Sequence, residues 1–441
     1  MIKVGMISLG CAKNQVDGEV LMASLKNAGF TLSDDVGLSD IAIVNTCGFI
    51  ESAKRESIEE IMELCTLKAE GRIKKIVVTG CLAERYQEQI MREIPEADAV
   101  IGIGANGKIA QLLKDMMKDE KVESFPDKYD MPLEGDRELT TPSYFAYLKI
   151  AEGCDNRCTY CAIPLIRGNY RSRTKESIIA EAKKLVADGA KELVVIAQDI
   201  SRYGIDLYGK YELSNLLKEL CKIDDLKWIR LMYLYPDTIN DELIETVASE
   251  EKIVKYMELP LQHASGKILK AMNRRGDKKS LTELIEKIRA KVPDIVLRTT
   301  FIVGFPDETE EDFTELCEFV KEIKFDKMGC FAYSPEEDTV AATMENQIDD
   351  EVKNHRAEIL TDMQMDIMQR KGDEMIGKTV EVMTEGFDRY AECFFGRSQK
   401  DAPEVDGKVF FTPTERRPTY GEFVTVEIED AMDSDLIGSM R

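Results

Sequence analysis

Short apolar runs alternate with helix-patterned stretches twice along this chain, and that alternation restricts its fold more than any other feature. The first series is KVGMISLG (3–10), DGEVLMASLKNAGF (17–30), IAIVNTC (41–47), a helical stretch near 50–68 and KIVVTGC (75–81). Strands joined through helices pair in parallel, so this series predicts a parallel α/β sheet. Asp17 is placed to cap the first helix and Gly29 to end it. The segment KVESFPDKYDMPLEGDRELTTP (121–142), rich in charge and proline and without apolar periodicity, has the character of a linker. Six further strand-like runs then alternate with helices: FAYLKIAEG, ELVVIAQD, WIRLMYLYP, YMELPLQH, VLRTTFIVGFP and KMGCFAYSP. Six units predict a partial version of the eight-unit (β/α) barrel, whose chemistry sits at the C-terminal strand ends. Near the C-terminus, TVEVMTEGFD, GKVFFTP and EFVTVEIED predict a small all-β barrel. The expected organisation is an α/β domain at 1–120, a linker at 121–142, a (β/α)6 barrel at 143–371 and a β-barrel at 372–441. A chain of 441 residues is too long for one core, in keeping with that division.

No apolar run reaches the roughly 18–20 residues that span a bilayer, and MIKVGMISLGCAKN lacks the basic start and cleavage site of a signal peptide. The expected location is the cytoplasm, where eleven cysteines are better read as metal ligands, buried thiols or reactive groups than as disulfides. Cys154, Cys158 and Cys161 in EGCDNRCTYCAIP follow the first strand of the second series. Spacings of four and three let one loop wrap three thiolates around one iron-sulfur centre. A structural zinc would ordinarily add a fourth Cys or His, and the only histidines are His263 and His355. Three ligands leave one iron open to chelate S-adenosylmethionine, whose reductive cleavage gives methionine and a 5′-deoxyadenosyl radical. Cys11, Cys47 and Cys81 each fall at the C-terminal end of a strand in the first series, where parallel strands form ligand crevices. On that placement alone they are either ligands of a second cluster or three small buried residues. Cys65 lies inside a helical run and is set aside as a ligand, and Cys221, Cys317, Cys330 and Cys393 are read as packing.

The three-cysteine loop resembles the radical S-adenosylmethionine superfamily, with Tyr160 at the aromatic position that contacts adenine there. Together with SLGCAKNQVDGE, VNTCGFI, VTGCLAERY, AQDISRYG, ELPLQHASGKILKAMNRR and TTFIVGFPDETEEDF, it makes nearly the whole chain similar to the methylthiotransferase family. The resemblance implies two 4Fe-4S clusters, one on Cys11, Cys47 and Cys81 and one on Cys154, Cys158 and Cys161. SLGC-x-KN-x-VD and AQD-x-SRYG resemble the branch that modifies ribosomal protein uS12 rather than the tRNA branch; Gly18 departs from the serine usual there. The implied reaction converts one uS12 aspartate to 3-methylthioaspartate, with hydrogen abstraction by the radical, sulfur insertion at the N-terminal cluster and methyl transfer from a second S-adenosylmethionine. The implied partners are uS12, free or within the small subunit, an electron donor such as flavodoxin or ferredoxin, and a sulfur donor.

The C-terminal section resembles a TRAM domain, which usually contacts RNA in the tRNA-modifying relatives. Here residues 372–441 carry eight Lys or Arg against sixteen Asp or Glu, and the whole chain has a net charge of -24. Such acidity argues against extensive nucleic-acid binding and for a basic protein partner. Gln198, Asp199, Gln262, Arg298 and Gly304 stand at or near barrel strand ends and are candidates to hold S-adenosylmethionine, with packing or capping the alternative for each. His263 is a candidate to orient cofactor or substrate, or else a satisfied structural histidine. Gly102, Gly104 and Gly107 spell a dinucleotide fingerprint but stand at the last strand of the first section, which suggests a tight turn instead. A tRNA methylthiotransferase and a noncatalytic metal-binding module that docks on the ribosome are the rival readings.

Overall fold

The computed structural model describes residues 2–118, 120–414 and 416–441. The chain divides into two compact units. The first comprises 1–141, 149–177 and 334–342, and the second comprises 142–148, 178–333 and 343–441.

In the first unit, strands β1 (Lys3–Ser8), β2 (Thr31–Leu32), β3 (Ile41–Thr46), β4 (Lys75–Gly80), β5 (Ala99–Ile101) and β6 (Val122–Ser124) form one sheet in the order β2-β1-β3-β4-β5-β6. Every pairing is parallel. Apolar clusters cover both faces, one around Val4, Leu21, Ile43 and Val77 and the other around Val44, Ile61, Ile76 and Val78. The stretch 121–142 is more than a linker. Val122–Ser124 is the edge strand of this sheet, too short and too charged to show a period, and the turn at Lys128–Asp130 packs back on the unit. The first helix is Ala12–Asn27, so Asp17 lies inside it and Cys11 takes the N-cap position. Its polar opening turns hid that start, because their side chains serve buried ion pairs rather than solvent. Gly29, with φ +93°, ends the helix as expected. Residues Gly102–Lys108 form a strand-to-helix turn, with the amide of Ile103 donating to Glu84 at 2.9 Å.

In the second unit, β7 (Phe145–Lys149) begins a second sheet, and the chain then enters the first unit at Lys149. A hairpin of β8 (Ala151–Glu152) and β9 (Arg171–Ser172) follows in the first unit. The sheet continues through β10 (Glu192–Ile196), β11 (Trp228–Leu231), β12 (Ile253–Glu258), β13 (Val296–Val303) and β14 (Lys327–Ala332), in the order β14-β13-β12-β11-β10-β7. All six strands expected from the second series are present. The chain ends in a closed barrel ordered β15-β16-β17-β19-β18, built from Thr379–Asp388, Cys393–Ser398, Val409–Thr412, Phe423–Met432 and Asp435–Met440. Its centre is filled by Val382, Val409, Phe411, Val424, Val426 and Ile428. Among the described residues no helix is long and apolar enough to cross a membrane.

Candidate iron-sulfur sites

Cys11, Cys47 and Cys81 follow β1, β3 and β4, three neighbouring strands that end on the same edge of the sheet. Glycines allow the loops to meet. A side chain at Gly10, which has φ +86°, would lie 2.7 Å from Cys47 Cβ and 2.8 Å from its Sγ. One at Gly48 would lie 2.8 Å from the Leu82 backbone and 3.0 Å from the Cys81 carbonyl carbon. These contacts bring the Cys11, Cys47 and Cys81 loops together in turn. Gly18 likewise lets the first helix lie close to the sheet, with Asn45 Nδ2 3.1 Å from where a Cβ would stand.

Burial raises the Cys47 thiol to about 12, and the Cys81 thiol beside it adds to the effect. Burial also raises Cys81, against the pull of Arg167. Cys11 is exposed, yet its sulfur is crowded enough for burial to raise it; Lys13 and Arg167 outweigh that, and its pKa falls below the ordinary thiol value. Cys65 lies within the helix Glu51–Ala69 and packs with Ile61 and Leu64.

Cys154, Cys158 and Cys161 occupy the loop between β8 and the helix Ile163–Arg167, and all three are partly exposed. Both ends of the loop are fixed. Gly153 has φ +78° and leaves only 2.1 Å between its Cβ position and the Asn169 carbonyl oxygen, while the Cys154 amide donates to Gly168 O at 3.1 Å. The Cys161 amide donates to Cys158 O at 3.0 Å. Tyr129 supports the hairpin beyond, its hydroxyl accepting from the Asn169 amide at 3.0 Å. Tyr160 is partly exposed within the loop.

Beside Cys81, inside the first unit, lies a buried group of charges. Arg167 Nη1 pairs with Asp17 and with Glu152 Oε2 at 3.2 Å; Lys149 Nζ pairs with the same two carboxylates, at 2.9 Å to Glu152. Arg167 Nη2 donates to Cys81 Sγ and to Asn14 Oδ1, both at 3.1 Å. Cys81 also packs against Ala162 and Ile166, which follow Cys161. Residues 334–342 join this unit too. Glu336 meets Arg85 at 3.0 Å and Lys54 at 3.1 Å, Arg85 donates to Gly48 O at 3.0 Å, and the Ala341 amide donates to Thr159 O at 2.9 Å.

Of the remaining candidates, all in the second unit, Asp199 caps the turn Ile200–Arg202 by accepting from the Ser201 amide at 3.0 Å. Gln262, with φ +73°, is tied to β13 through Thr300 O and the Ile302 amide, both at 2.8 Å. Arg298 pairs with Asp406 at 2.6 Å. Gly304, with φ +70°, leaves space that the Lys353 side chain fills, 2.1 Å from where a Cβ would stand, so its missing side chain makes room for Lys353. Gln198 follows β10 and is partly buried. His263 is wholly buried, its Nδ1 accepting from the Ser265 amide at 2.9 Å and its Nε2 3.3 Å from Glu308, which also pairs with Arg356 at 2.7 Å.

Arg167, Lys149, Glu152 and Glu336 escaped the sequence reading, and Asp17 was read only as a helix cap, because isolated charged residues resemble a solvated surface until the fold buries them. IPLIRGNYRSR, where an arginine ends the helix just after the cysteine loop, held the one available hint.

Among the described residues, no three His, Cys, Asp or Glu side chains close around a single metal ion. A cuboidal cluster instead spreads its thiolates over separate irons, and two separated sets of three thiols suit that donor chemistry.

Three family models match the chain: Uncharacterized protein family UPF0004 at residues 3–102, the Radical SAM superfamily at 148–320 and the TRAM domain at 376–440. The radical S-adenosylmethionine methyltransferase TsrM from Kitasatospora setae, with tryptophan substrate and aza-SAM bound, shares the fold. Its TM-score is 0.57 at 14% identity, over 75% of this chain and 73% of that one. Fold, cysteine loop and family models define a radical S-adenosylmethionine enzyme, a class that uses a 4Fe-4S cluster and S-adenosylmethionine. Ribosomal protein uS12 methylthiotransferase RimO of Clostridioides difficile (strain 630) is 50% identical over 100% of this chain and 99% of its own length. The protein of the same name from Thermoanaerobacter sp. (strain X514) is 48% identical over 99% and 100%. The chain therefore belongs to the RimO family of uS12 methylthiotransferases.

Proposed function

We propose that this protein methylthiolates one aspartate Cβ of ribosomal protein uS12, using two 4Fe-4S clusters and two S-adenosylmethionine molecules per turnover. The observation that carries the reading is the pair of three-cysteine sets within one compact unit, in a chain half identical to a uS12 methylthiotransferase over its full length. Bound at these sites, the cofactors supply the one-electron chemistry that opens an unactivated C–H bond, together with sulfur and a methyl group.

The chain's own part is to hold and shield. Cys154, Cys158 and Cys161 would hold one cluster from a loop pinned at both ends, with no fourth protein ligand, and Tyr160 would contact the adenine of S-adenosylmethionine. Cys11, Cys47 and Cys81 ligate the other cluster. Gln198 and Gln262 remain candidates to hold S-adenosylmethionine, whereas Asp199, Arg298 and Gly304 already serve the fold through the contacts described above. The acidic 372–441 section suits a basic ribosomal protein better than RNA, which favours uS12 over tRNA. An electron donor such as flavodoxin or ferredoxin and a sulfur donor complete the system, in the cytoplasm.

Anaerobic reconstitution followed by incubation with uS12 or small subunits tests the proposal. It predicts about eight irons per chain, four for each cluster, release of 5′-deoxyadenosine, and uS12 heavier by one methylthio group. Bound zinc with no cleavage of S-adenosylmethionine would contradict it.

A further inference from the structure

Arg167 ends the helix that begins two residues after Cys161, yet its side chain reaches a cysteine of the other set. Its surroundings are almost dry: Arg167, Asp17, Lys149 and Glu152 are all under 5% exposed. Two cations there face two carboxylates, so the group is balanced without Cys81. One end of the guanidinium, Nη1, is committed to Asp17 and Glu152. The other, Nη2, is directed at Cys81 Sγ and Asn14 Oδ1. The carboxylates thus fix the plane of the guanidinium and aim its second nitrogen at the sulfur. Asn14 is itself fixed, its amide nitrogen donating to Leu9 O at 2.8 Å and Asn45 O at 3.2 Å.

An N–H donor on a cluster sulfur stabilises the form that carries more negative charge, which is the reduced form, and the effect is strongest where water is excluded. We propose that Arg167 is a positioning residue for the second cluster: it donates to the Cys81 sulfur and raises that cluster's reduction potential. The inference rests on Cys11, Cys47 and Cys81 holding a cluster. It extends that reading by assigning the cluster's electronic control to a residue of the other cysteine segment, with Asp17 and Glu152 as its supports.

The test uses the full chain carrying Cys154→Ala, Cys158→Ala and Cys161→Ala, so that only the second cluster can assemble. Iron content is measured first, and about four irons per chain are expected. Absence of iron with Arg167 intact would refute the second cluster itself, and with it this inference. The cluster is then titrated with dithionite as the electron source, each cluster taking one electron, and followed by electron paramagnetic resonance. Arg167→Lys keeps a cation for Asp17 and Glu152 but lacks the second nitrogen; Arg167→Gln keeps a donor but lacks the charge.

Both variants are expected to hold iron and to be harder to reduce, Arg167→Lys by at least tenfold in the reduction equilibrium, about 59 mV for one electron. An iron-loaded Arg167→Lys protein with the parent's potential would overturn the proposal. So would loss of iron in both variants while the parent keeps its four, since Arg167 would then be a structural residue only.

Discussion

Three glycines decide whether the second cysteine set can assemble. Gly10 makes room for Cys47, Gly48 for the Cys81–Leu82 backbone, and Gly80, with φ +91°, for Thr46, whose carbonyl oxygen lies 2.5 Å from where a Cβ would stand. Backbone cannot yield as a flexible side chain can, so Gly48→Ala should separate the Cys47 and Cys81 loops. The expected outcome is iron falling from about eight to about four per chain with cleavage of S-adenosylmethionine retained; full iron content would show that the loops tolerate the methyl group. The thiols should also differ chemically in the metal-free protein. Cys11 is exposed and its pKa is lowered, whereas burial raises Cys47 to about 12. Near pH 8, Cys11 is richer in thiolate, the reactive form, so mass spectrometry after iodoacetamide treatment should find Cys11 alkylated well before Cys47. These cysteines were legible in the sequence because each ends an apolar strand. Arg167 was not, since its role depends on burial beside Asp17, Glu152 and Cys81, residues the fold brings to it.

At the scale of elements, one short segment and one buried ion group carry most of the unread structure. Residues 334–342 leave the last barrel strand and place Glu336, 2% exposed, between Arg85 and Lys54. Glu336→Ala would take the carboxylate from Arg85 and leave Lys54 with Glu51 alone, at a cost of roughly 3 kcal/mol, seen as a lower denaturation midpoint. In the second unit, Glu192 accepts from Arg230 and Arg397, each at 2.7 Å, and Trp228 meets Phe423 edge to face at 4.7 Å. These contacts join the sheet to the C-terminal barrel. Arg397→Met should destabilise the second unit by roughly 3–5 kcal/mol, read as a lower denaturation midpoint, because Glu385 loses its cation and Glu192 keeps only Arg230. Strand periodicity announced the six barrel strands, but a nine-residue return such as 334–342 has no period. Its partners are also far away in sequence. The edge strand at Val122–Ser124 was hidden for a related reason: three residues are too few to show alternation.

For the whole molecule, the alternating strands and helices gave the two parallel sheets, and the turn-rich end gave the barrel. The interleaving of the two compact units was not legible, because it depends on where the chain leaves one core and re-enters the other. The substrate rests on family membership together with acidity spread over the chain, including the C-terminal barrel. The most direct test is the mass of uS12 from cells lacking the gene and from cells in which it is restored, with tRNA nucleosides measured in parallel. The account predicts that uS12 loses one methylthio group without the gene, regains it on restoration, and leaves tRNA unchanged. An unchanged uS12 mass with loss of a methylthio-adenosine from tRNA would contradict it.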